Sequence, residues 1–104
     1  MIITTSDNIP GKNITQTFGL VRGNTARSRN FSRDIMAFAK NITGGEVMEY
    51  TKLIAESRDQ AIDRMVEQAE KMGANAICGV RFSSSSVASG VSEVLVYGTA
   101  IKIV

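Results

Sequence analysis

An α+β fold, a small antiparallel β-sheet packed against one short and one long helix, is what the 104 residues predict. Three observations carry it. Residues 14–22, 76–82 and 91–104 alternate with the period of a strand, residues 47–72 repeat with the period of a helix, and a shorter helical pattern lies between Phe31 and Ile42. A chain of this length holds one ordinary core, so residues 1–104 are expected to form a single domain.

The elements follow in order. Ile2 and Ile3 lead into Thr4 and Thr5 as a β-branched strand start, and residues 6–11, with the only proline at Pro10, read as turn. In the next strand Ile14, Phe18 and Leu20 point one way, with Gln16 intruding, while Thr15, Thr17, Gly19 and Val21 point the other. Gly19 and Gly23 punctuate it, and glycine inside a strand often marks a bulge or the close approach of another backbone. Residues 24–30 are polar and read as a loop.

Phe31, Ile35, Phe38, Ala39 and Ile42 then recur at helical spacing, with Ser32, or else Ser28 or Asn30, as the cap and Gly44 and Gly45 as the stop. The long helical pattern places Ile54, Ala61, Ile62, Met65, Val66, Ala69 and Met72 on one stripe, with charges opposite and Gly73 at the C-terminal cap position. Ser57 to Gln60 fits a capping box that would start this helix later, but one continuous helix is the preferred reading. Ala76, Cys78, Val80 and Phe82 alternate with Ile77, Gly79 and Arg81, after which Ser83, Ser84, Ser85, Ser86, Ser89 and Gly90 read as a hairpin loop. The last segment is apolar on both faces: Leu95, Tyr97, Thr99, Ile101 and Ile103 on one, Val94, Val96, Gly98 and Ala100 on the other. Such a strand needs two apolar partners, so helices should cover one face and a neighbouring subunit or second layer the other.

Composition agrees with a self-associating protein. Only 6% of residues are aromatic and none is Trp, so the core is aliphatic and thin, and burial against identical copies would add stability. A net charge of +2 gives no argument for nucleic acid or an anionic membrane as partner. The sole cysteine, Cys78, permits no internal disulfide and suits the reducing cytoplasm. No apolar run approaches the length of a membrane span, and the first residues lack the pattern of a secretory signal.

Candidate chemistry is sparse. With no histidine, Ser-His-Asp and Cys-His triads and every His-ligated metal site are excluded, and no catalytic signature replaces them. Cys78 is the one soft metal ligand candidate, although its register reads as core. Arg22, Arg27, Arg29 and Arg33, with no acid among them, form the best candidate for binding an anion. The acids between Glu46 and Glu70 read as a solvated helix face, and no glycine-rich phosphate loop stands at a strand-to-helix junction.

Across the whole chain, Thr4-Thr5, Ile9-Pro10-Gly11-Lys12, Phe18 to Gly23, Gly44-Gly45, Met72 to Ile77 and Tyr97 to Ala100 together resemble the YbjQ-like family of small proteins, also labelled heavy-metal-binding. The resemblance implies a dodecin-like subunit assembling into a ring, pentameric in this family, and a possible metal ion. It carries no catalytic residues over to this chain. Beside it, Gly19, Gly23, Gly44, Gly45, Gly73 and Asn75 read as architectural, permitting tight backbone approach and the sharp turn out of the long helix.

Overall fold

The computed structural model describes residues 1–27, 44–88 and 91–104. They form β1 (Ile2–Ile3), β2 (Ile14–Arg27), α1 (Gly44–Met72), β3 (Ala76–Ala88) and β4 (Val91–Ile103). The four strands make one sheet in the order β1-β3-β4-β2. β4 runs antiparallel to both its neighbours, whereas β1 pairs with β3 in parallel. The sheet is therefore mixed, where an antiparallel one was expected. The short helix expected around residues 31–42 lies outside the described residues.

The helix packs on one face of the sheet, and the packing explains its sequence. Ala61, Met65 and Ala69 recur every four residues and are fully buried, with Ser57 one turn earlier at 3% exposure. They meet Val21, Ile77, Val80, Val96 and Ala100 from the three long strands, with Phe18, Ile62, Val66 and Val94 partly buried around them. At Gly23 the two backbones come into direct contact. A Cβ there would stand 2.5 Å from the Met65 amide nitrogen and would overlap the Ala61 carbonyl oxygen. One residue pair along, the buried Thr25 hydroxyl donates to the Ser57 carbonyl at 3.2 Å. Ser57 is thus an interior residue of one continuous helix, and the capping-box alternative does not apply.

The helix ends as its sequence indicates. Gly73 adopts φ +92°, its amide donates to the Glu70 carbonyl, and the next amide, of Ala74, reaches back to Ala69. These two bonds satisfy carbonyls that the helix leaves without partners, and a left-handed residue is needed to make both. Asn75 then clamps the chain to β4. Its side-chain amide donates to the Ile103 carbonyl at 2.9 Å while its carbonyl oxygen accepts from the Ile103 amide at 2.8 Å.

Two bulges reset the strand alternation. Gly19 has φ +113° where the β2–β4 register shifts, so Phe18 and Val21, three residues apart, both side with the helix-facing core. Gly79 has φ +62° where the β3–β4 register shifts, so Ile77 and Val80 share the helix side while Cys78 faces away. The plain alternation read along residues 14–22 and 76–82 is corrected at these two points.

Three boundaries also differ from expectation. Residues 24–27, read as loop, continue β2 by pairing with residues 92–95 of β4, and Thr25 gives that stretch a buried anchor. Ser83 to Ser86, read as a hairpin loop, extend β3 by pairing with the same part of β4. Here the long β-rich partner supplies the ladder, and hydroxyls are compatible with its solvated side. Gly44 and Gly45, read as a stop, are instead the first two residues of α1. In the first turn amides lack intrahelical partners in any case.

On the second face, Ala76, Cys78, Ile101 and Ile103 form a smaller buried cluster with Ile9 packed against it. The N-terminal segment supplies this cover. It follows the edge of β3 through bonds from Thr4 to Ile77, Gly79 to Ser6 and Val80 to Thr4, then rejoins the end of β4 through a reciprocal Asn13–Val104 pair.

Replacing Gly23 by Ala forces the helix off β2 and is expected to cost about 2–4 kcal/mol of unfolding free energy. Gln60→Ala on the exposed helix surface should stay within about 0.5 kcal/mol. Urea unfolding followed by circular dichroism measures both; equal midpoints would contradict the close approach.

Candidate functional site

The N-terminal segment covers only one end of the second face. Further along, cross-strand pairing sets Arg22 and Arg81 on either side of Tyr97, with Leu20 opposite Thr99 and Leu95 between Asn24 and Ser83. Residues directly opposite in a ladder project to the same side of the sheet, so these make one surface. Leu20 is 65% exposed, Tyr97 is 37% exposed, and both arginines are exposed. One arm of Arg81 is anchored, with Nη1 donating to the carbonyls of Thr5 and Val80 at 2.8 Å. Beyond Arg22 the surface dips into a shallow hollow of about 300 Å³ lined by Asn24, Glu93 and Leu95, where the Asn24 amide donates to Glu93 at 3.0 Å.

The expected arginine cluster is therefore only partly located. Arg22 lies on this open face, and Arg27 is the last residue of β2, five positions further along. Arg29 and Arg33 lie outside the described residues. The arginine brought to Arg22's side of the sheet is Arg81, which the sequence reading did not single out. No local signal could have found it, because the pairing depends on the register of two strands with β4 and on the bulge at Gly79.

Cys78 is a free thiol, 7% exposed, in contact with the aliphatic cluster of the second face. Among the described residues, no three His, Cys, Asp or Glu side chains gather where a metal ion could be held. A heavy-metal centre normally takes several thiolate or imidazole donors, so the described residues do not fit one, and no chemistry is routed through such an ion here.

A second depression lies on the helix side of the sheet. Because α1 rests over β2, the far strand is left partly uncovered. Phe82, half-exposed, lines a groove of about 500 Å³ with Ile62, Val94, Ala55, Arg58 and Asp59. Ser84 also lines it, and among the described residues no hydrogen bond links its hydroxyl to Asp59. No helix among the described residues is long and apolar enough to cross a membrane.

Comparison with known proteins gives full-length matches. The family model described as "Putative heavy-metal-binding" matches residues 1–104. The chain is 52% identical over 103 residues to a UPF0145 protein of Methanosarcina acetivorans, covering 99% of this chain and 97% of that one. It is 53% identical over 104 residues to a UPF0145 protein of Vibrio parahaemolyticus, covering 100% and 99%. Among solved structures, a protein of unknown function from Pediococcus pentosaceus, assigned to the DUF74 family, superposes with a TM-score of 0.63 at 18% identity, covering 100% of this chain and 98% of that one. That likeness supports the fold.

The buried position of Cys78 predicts slow chemistry. A thiol reagent should label the native protein at least about a hundredfold more slowly than the protein in denaturant, since reaction awaits local opening. Equal rates in a timed mass-spectrometric labelling experiment would place the thiol at the surface.

Proposed function

The chain belongs to the YbjQ family, whose model spans it from end to end, and on that premise we propose that it acts in the cytoplasm as a non-enzymatic homo-oligomer, the five-membered ring that the resemblance implies. The observation that carries this reading is the open part of the second sheet face. Leu20 and Tyr97 stand exposed there, on strands whose other side is fully buried at Val21 and Val96. Exposed apolar side chains grouped on a flat, regular surface are the usual mark of a protein interface, and Tyr and Arg are the residues that interfaces favour. The absence of histidine from the sequence excludes the His-based triads, which favours a non-catalytic role. A lone thiol with no disulfide partner in its own chain suits the cytoplasm.

The alternative is a small anionic ligand held at a subunit interface. Its support is the placement of Arg22 and Arg81 beside Tyr97, where a planar anion would find two guanidinium groups and a ring.

Native mass spectrometry of the untagged, undialysed protein tests both. A ring of five chains of 11.2 kDa has a mass of about 56 kDa. A single-chain mass at micromolar concentration would sink the assembly reading. Extra mass per chain that disappears on denaturation would establish a retained ligand.

A further inference from the structure

The charges of this chain are segregated. Helix α1 holds seven of the ten acidic residues and four of the twelve basic ones, a net charge of −3, which leaves the other 75 residues at +5. The segregation is also directional. With Ser57, Ala61, Met65 and Ala69 turned inward, Glu56, Asp63, Glu67 and Glu70 fall on the opposite side of the helix, and all four are exposed. Three of the four helix cations lie elsewhere or are engaged. Arg64 donates to the Asn24 carbonyl at the margin of β2, Arg58 lines the groove, and Lys71 pairs with Glu67 at 3.3 Å. The open sheet face, on the opposite side of the molecule, presents Arg22 and Arg81 around Tyr97 and Leu20. The face also carries Glu93, which accepts a hydrogen bond from the Asn24 amide, and its two arginines outnumber that carboxylate.

We propose that the open sheet face of one copy docks on the acidic outer stripe of α1 of the next, with Arg22 and Arg81 meeting Asp63, Glu67 and Glu70 while Leu20 and Tyr97 are covered. This rests on the self-assembly reading above and specifies its contact. The two surfaces differ and lie on opposite sides of one subunit, so the contact is head-to-tail and repeats from copy to copy. Such a contact closes into a ring when its rotation divides a full turn. Face-to-face pairing of two sheets, the alternative, would set arginine against arginine. Like charges facing one another across an interface cost several kcal/mol.

Charge reversal tests this, read by sedimentation or light scattering, with circular dichroism confirming the fold of each variant. Arg22→Glu with Arg81→Glu, and separately Asp63→Arg with Glu70→Arg, should each weaken association at least about a hundredfold. The chain carrying all four substitutions should assemble again, because both surfaces are reversed together. All four side chains are exposed, but Arg81 also holds the Thr5 and Val80 carbonyls, so Arg22→Glu alone, which disturbs neither bond, should weaken association in the same direction. Wild-type assembly with an unaffected helix variant would overturn the head-to-tail contact and leave the oligomer standing, and a four-fold variant that stays dissociated would also overturn it. A monomeric wild type would remove both readings together.

Discussion

Contact between two backbones, that of α1 and that of β2 at Gly23, fixes the layout of the rest. Helices usually ride on sheets through side chains, which keeps the two backbones well apart. Here the glycine, with Ser57 and Ala61 above it, removes that spacer, and Thr25 adds a buried hydrogen bond to the helix carbonyl. The helix is therefore drawn over β2 at the margin of the sheet. Its acidic side is turned outward, and the groove beside Phe82 is what remains uncovered over the far strand.

The second face follows from the composition of β4. Ile101 and Ile103 point away from the helix and would be wet in a two-layer sandwich, but the N-terminal segment lays Ile9 over them and ties itself to both ends of the region with backbone bonds. About ten residues with little regular secondary structure thus act as a partial third layer. They stop short of Tyr97, so the same strand is covered by its own chain at one end and exposed at the other. Of the two apolar partners expected for β4, the helix supplies one and the N-terminal segment part of the other.

Much of this architecture was legible because the relevant signals are local. The long helix showed itself through its apolar stripe and Gly73, and the two faces of β4 through strict alternation. What escaped depends on partners distant in sequence. Ser83 to Ser86 and residues 24–27 have the composition of loops and become strands because β4 reaches alongside them. The glycine at position 19 was suspected of marking a bulge, yet its effect, that Phe18 and Val21 share a side, is a matter of φ and register that composition does not encode. The surface around Tyr97 was half visible: Arg22 stood out as part of a charge cluster, but its cross-strand companion Arg81 did not. The acidic helix face was recognised and read as solvated, and Glu56, Asp63, Glu67 and Glu70 are exposed.

One detail at the margin of β2 bears on how the protein stays soluble. An outermost strand offers a row of free amides and carbonyls on which foreign strands can register and aggregate. In this chain the Gln68 side chain accepts from the Arg22 amide at 2.8 Å, and Arg64 occupies the Asn24 carbonyl. The helix that packs on the sheet thereby also hems it. An incoming strand would have to displace two side chains held by a rigid helix before it gained its first ladder bond, so extension of the sheet is discouraged on this side by the element that builds the core. Stability and protection against aggregation then share one origin, and a lesion that loosened the helix would forfeit both at once.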